Sequence, residues 1–316
     1  MHECTNRMQE EGSDELLLGQ HELSGSSLEL LLADRLRLGR RVRLLSVFEC
    51  GLAALAPQLE RFRGLAVAVL LANNNALTDL RPLAEAWGGT LTRLYVASNA
   101  LTTAEGLQRL PLLQRADLSR NRLAELPEPL PAQLERLDVH GNELASLPSS
   151  LSLLSRLERL GLHGNRPLRQ LPPLAALGRL THLSCSFCGL ARLEALPLSL
   201  ESLRCEGNRL TALELAALPA LRRLEARDNR LPALDVSACA ALQTLGCADN
   251  RLARPPEGLL RLPLLRSVAL AGNPELPDKI RADWAAEEMP ALREALRLLE
   301  RVEEARSALA QLQQQL

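Results

Sequence analysis

The residues Cys185-Ser186-Phe187-Cys188 have C-x-x-C spacing, which serves zinc binding and thiol–disulfide exchange because two thiolates reach one ion or one sulfur. His140 and His163, with Asp138 close in sequence, are residue types that ligate zinc. Arg93, Arg115, Arg136 and Arg159 recur 21 to 23 residues apart. Gathered on one surface, such guanidinium groups would hold carboxylates by paired hydrogen bonds. Cys247-Ala248-Asp249 places a thiol two residues from a carboxylate. No phosphate-binding glycine loop and no serine-histidine-acid or paired-carboxylate set stands out. Which of these residues can act depends on the elements that carry them.

Those elements follow one internal period. Apolar residues occupy the first, fourth, sixth and eleventh positions of a unit, and asparagine or cysteine stands ninth, as in Leu134 to Leu144 and Leu200 to Leu210. The ninth residues are Cys50, Asn75, Asn99, Asn121, Asn142, Asn165, Cys188, Asn208, Asn229, Asn250 and Asn273: eleven copies, 20 to 25 residues apart. Alternation at positions four to six predicts a short strand with one buried face, and each unit is stable only against its neighbours. The ninth side chain turns inward to satisfy backbone groups left unpaired after the strand, as a structural ladder. Returns carrying proline, such as Leu126-Pro127, Leu147-Pro148 and Leu171-Pro172-Pro173, are expected to be extended, while the early, longer returns have room for helical turns.

The period sorts the candidates. Cys185 and Cys188 fall at positions six and nine, both inward, and Cys205 and Cys247 also fall at position six, so they read as small core residues rather than ligands. Cys239 lies off the strands and is expected to be exposed. Position three carries Arg93, Arg115, Arg136, Arg159 and then His182; position five carries Tyr95, Asp117, Asp138 and Arg204; position seven carries His140 and His163. Arg223 and Glu225 continue the same surface. Four arginines one strand apart repel unless countered, and Asp117 and Asp138 are expected to neutralise part of the column. The column is either a docking stripe for an acidic protein segment or a solvated charged face. For a metal, His140 and His163 have only neighbouring-strand geometry in their favour, so none is assigned.

The unit resembles the leucine-rich-repeat family, L-x-x-L-x-L-x-x-N/C-x-L, over roughly residues 42 to 276. That resemblance implies an α/β solenoid: a right-handed curved horseshoe with a parallel β-sheet on its concave face and helical caps. Bacterial effector ubiquitin ligases that carry such repeats use a C-x-D motif in a large following domain. Here Cys247 is a core position inside a repeat and only about 40 residues follow the array, so that assignment fails.

Residues 1–12 are polar and expected to be disordered. Residues 13–41 form an N-terminal cap: Leu16, Leu18, His21 and Leu23 fit a degraded extra repeat, and Ser26 with Glu29 three residues on resembles a capping box that starts a helix ending at Gly39. The array spans 42–277, and 278–316 is a C-terminal helical cap or short coiled coil. In it Ala295, Leu298, Val302, Leu309 and Leu312 form a seam open to self-association. Leucine supplies 79 of 316 residues and aromatic residues 2%, which fits one repeated core environment. The net charge of -1 argues against a nucleic-acid surface. No charge-free window reaches membrane-spanning length and the first residues lack a secretory core, so a cytoplasmic location is expected, with no membrane partner. Function is then expected to be non-enzymatic and cofactor-free: a scaffold or adaptor that recognises another protein on its concave face. The alternatives are a regulatory subunit docking an enzyme such as a phosphatase or GTPase, and a cytoskeletal or assembly scaffold using the C-terminal helix.

Overall fold

A computed structural model of the chain describes residues 14–19, 24–39, 41–54, 59–215 and 218–315, and the expectations for residues 1–12, His21 and Leu23 lie outside these. The chain divides into two compact units, Met1–Cys188 and Gly189–Leu316.

In unit one, leucine, valine or alanine at positions four and six points inward from strands whose third and fifth residues, the buried Ser46 excepted, stay open. Leu94, Val96, Leu118, Val139 and Leu162 are fully buried. This alternation yields β1 (Glu15–Gly19), β2 (Leu44–Phe48), β3 (Val69–Leu71), β4 (Arg93–Tyr95), β5 (Arg115–Asp117), β6 (Arg136–Asp138), β7 (Arg159–Gly161) and β8 (His182–Ser184). Each strand pairs with the next in parallel, in a register that stacks Leu70, Leu94, Ala116, Leu137, Leu160 and Leu183. Each buried leucine contributes about 1.5–3 kcal/mol, so the array is held by many equal increments. β1 is the strand of the degraded repeat: Leu16 and Leu18 align with Leu45 and Val47.

The α1 helix (Gly25–Arg37) caps this end with Leu28 and Leu32 buried. It starts two residues earlier than its sequence suggested. The N-cap is Ser24, whose hydroxyl accepts from Ser27 N–H at 3.1 Å, and not Ser26. Gly39 ends it at φ 63°, the left-handed conformation glycine adopts without strain. The longer early returns hold a 3-10 stretch (Leu59–Leu65) and α2 (Arg81–Trp87). Trp87 is buried there and donates to the Phe62 carbonyl at 3.1 Å.

In unit two, β9 (Ser202–Arg204), β10 (Arg223–Glu225), β11 (Thr244–Gly246) and β12 (Ser267–Ala269) pair in parallel and in order. A two-residue strand, β13 (Asp283–Trp284), then pairs antiparallel to β12, so the expected all-parallel sheet ends in a reversed edge. α3 (Met289–Gln315) follows. Met289, Leu292 and Leu296 are buried, and Arg293 donates to the Leu262 carbonyl at 2.9 Å. Its first two turns therefore cap the last repeats. Leu298 and Val302 are 50% and 46% exposed.

The asparagine ladder runs within both units. Asn121 Oδ1 accepts from Leu101 N–H at 3.0 Å, and its Nδ2 donates to the Val96 carbonyl at 3.0 Å, both in the preceding repeat. Asn75, Asn99, Asn142, Asn165, Asn229, Asn250 and Asn273 repeat this pair of bonds. Asn208 accepts from Leu190 N–H in the same way. At Cys188 the thiol donates to the Leu162 carbonyl, and at Cys50 to the Leu18 carbonyl.

Candidate functional site

Strand registry gathers the position-three residues of unit one into a column. Arg93 lies opposite Arg115, Arg115 opposite Arg136, Arg136 opposite Arg159, and Arg159 opposite His182. Adjacent members are thus about 4.8 Å apart at the backbone. Asp117 and Asp138 align on the next column of the same face, and among the described residues neither forms an ion pair with the arginines. The Asp117 carboxylate is engaged by its own turn, accepting from Ser119 Oγ at 2.6 Å and Ser119 N–H at 3.1 Å. Asp138 accepts from His140 N–H at 3.1 Å and meets His140 Nδ1 at 2.8 Å. Short carboxylates satisfy the nearest donors two residues on rather than reach across to a guanidinium. Gly161, next in register, leaves room for this: a Cβ there would stand 2.6 Å from Asp138 Oδ1.

Among the described residues no ion pair joins Arg93, Arg115, Arg136 or Arg159 to a carboxylate. The Nε–H groups of Arg115 and Arg136, in the middle of the column, are buried without a hydrogen-bond partner. Leaving such a donor unpaired costs about 1–3 kcal/mol. A column of four adjacent cations without ion-pair partners is complementary to a row of anions.

Beside it runs an aromatic ridge. The His140 and His163 rings are 6.3 Å apart, and Phe187 meets His163 edge-on at 5.5 Å while remaining 43% exposed. No group of three histidine, cysteine or acidic residues able to hold a metal occurs among the described residues.

Toward β1 the same face is mainly apolar, which the charge-led sequence reading missed. Position three carries Glu15, Leu44 and Val69 before Arg93; position five carries Leu17, Ser46, Leu71 and Tyr95. All but the buried Ser46 are at least partly open. The available signal was apolar side chains at strand positions that ought to be polar.

In unit two, Arg204, Arg223 and Glu225 share the open face, with Arg223 and Glu225 3.7 Å apart. Burial and then the neighbouring Glu206 push the Glu225 carboxyl above the usual carboxylate range. Cys185, Cys188, Cys205, Cys239 and Cys247 are all buried. Cys239, expected outside, is fully enclosed, because the return between strands packs inward and its thiol faces the Leu215 carbonyl. Burial pushes the Cys188 and Cys239 thiols up to about 11 and Cys247 to about 12, where they are poor nucleophiles at neutral pH. No helix among the described residues is long and apolar enough to cross a membrane.

No family model and no curated protein matches this sequence. Solved structures do match its fold. The functional domain of InlJ from Listeria monocytogenes, which includes a cysteine ladder, aligns at TM-score 0.58 and 22% identity over 74% of this chain and 57% of that one. A leucine-rich-repeat protein of Leptospira interrogans aligns at TM-score 0.61 and 20% identity, covering 82% and 72%. The leucine-rich-repeat protein FLRT2, in an octameric complex with latrophilin 3 and Unc5D, aligns at TM-score 0.59 and 21% identity, covering 77% and 81%. The chain thus spans just over half the length of the InlJ domain, and at these identities the likeness is one of fold. The repeat and the strand stack together give the chain the leucine-rich-repeat fold.

Proposed function

We propose that the chain is a non-enzymatic scaffold or adaptor that binds an acidic segment of another protein on the open face of unit one. The observation that carries this is the column of four in-register arginines with no carboxylate partner, two of them holding buried, unsatisfied N–H groups. The octameric complex that contains one structural neighbour supports protein binding as a use of this fold. The test compares partner capture from native lysate by wild type and by the triple variant Arg115→Glu, Arg136→Glu, Arg159→Glu, with circular dichroism confirming the fold. A partner lost by the triple variant alone is the expected result; capture unaffected by charge reversal overturns the assignment.

A second reading places the interaction on α3, and the exposed Leu298 and Val302 favour it. Its signature is a concentration-dependent dimer in sedimentation that disappears when both are replaced by serine.

A further inference from the structure

We infer that the ligand of this face is an amphipathic α-helix of about 19 residues laid along the strand stack, apolar at the β1 end and carboxylate-bearing at the β4–β7 end. The inference rests on the protein-binding reading above and adds the partner's secondary structure and pattern.

The two open columns of unit one change chemistry at the same strand. Before β4 the two columns are mainly apolar: position three carries Glu15 at the outer edge and then Leu44 and Val69, and position five carries Leu17, the buried Ser46 and Leu71. From β4 onward position three is arginine through β7. Tyr95 stands at the junction, with an apolar ring and a polar end. One linear partner crossing the strands meets first an apolar surface and then a cationic one. From β1 to β7 is six strand intervals, about 29 Å, which a helix covers in about 19 residues at 1.5 Å each.

Spacing selects the helix over an extended segment. Four arginines span three intervals, about 14 Å. Helical residues i, i+3, i+7 and i+10 lie on one face and rise about 15 Å, so four carboxylates stay in step with four guanidiniums. An extended chain presents every second residue to one side, about 6.6 Å apart, and spans about 20 Å over the same four side chains. Its fourth carboxylate is a whole strand out of register. The middle arginines have little freedom to compensate, because their Nε atoms are buried. The carboxylates of Asp117 and Asp138 are held by their own turns and leave the column to the ligand.

The test uses the full chain and two fluorescein-labelled 19-residue peptides of identical composition, read by fluorescence polarisation. Both carry leucines within the first eight residues; the last eleven residues place four glutamates at i, i+3, i+7 and i+10 in one, and at alternate positions in the other. A 15-nucleotide single-stranded DNA is the third probe. The expected result is at least tenfold tighter binding of the helix-phase peptide, with helicity appearing on binding. That advantage should be lost in Arg115→Glu with Arg136→Glu and, separately, in Leu71→Asp, each verified by circular dichroism. Equal or tighter binding of the alternating peptide overturns the helix while leaving protein docking in place. No binding of either peptide also overturns the helix, and the lysate capture then decides whether the docking reading survives. Tightest binding by the DNA, or helix-phase binding indifferent to Arg115→Glu with Arg136→Glu, overturns both.

Discussion

Asn142 shows what the ninth residue of each repeat must do. Its Oδ1 accepts from Leu123 N–H at 3.0 Å, and its Nδ2 donates to the carbonyls of Leu118 and Val139. Cysteine can replace the donor half of this arrangement but only weakly the acceptor half. At Cys188 the acceptor half is not needed, because the eleventh position of the preceding repeat is Pro167, which has no N–H. The two departures from the consensus in adjacent repeats therefore compensate each other. Asn142→Cys should cost about 1–3 kcal/mol by stranding the Leu123 N–H. Cys188→Asn should also destabilise, since the new Oδ1 faces a proline, whereas Pro167→Leu with Cys188→Asn should recover a favourable coupling of about 0.5–3 kcal/mol. Urea unfolding of wild type, Cys188→Asn, Pro167→Leu and the double variant measures this coupling, and a Cys188→Asn chain more stable than wild type would sink the idea.

At the scale of elements, the consequential feature is the division of α3. Its first two turns bury Met289, Leu292 and Leu296, while residues 301–308 are exposed throughout. A chain ending at Glu288 loses three buried side chains, each contributing about 1.5–3 kcal/mol, and should melt clearly below wild type. A chain ending at Glu300 should melt within a degree or two of it; equal losses in the two truncations would mean that the outer helix also stabilises the fold. Which elements could be read in advance follows from their physics. Strands β2 to β12 were legible because leucine at positions four and six must alternate with open residues, and the ninth residue marks each repeat independently. The start of α1 was misplaced because Ser24 and Ser26 are both capable N-caps and only packing of Leu28 and Leu32 chooses between them. β13 has two residues and no period, so nothing local announces it. Arginine positions were legible, but their lack of partners was not, since that depends on Asp117 and Asp138 choosing Ser119 and His140 instead. The apolar columns escaped because leucine and valine are unremarkable until strand register shows them on the open face.

For the whole molecule, a formal charge of -1 sets how an acidic partner would be held. The chain as a whole offers such a partner no long-range attraction. The pull comes from four arginines about 4.8 Å apart, inside the roughly 8 Å screening length at physiological salt. A ligand at contact feels them together, and a ligand much farther away scarcely feels them. Binding should then depend on salt chiefly through dissociation. Long-range steering raises association rates only where the net field is attractive. Replacing Arg115 and Arg136 by glutamine should leave koff raised at least tenfold and kon changed by less than about threefold, because the lost contacts are local and partly desolvated. Surface plasmon resonance with the helix-phase peptide, from 50 to 300 mM salt, separates the two rates. A fall confined to kon would show that the column steers its partner from a distance rather than holding it at contact.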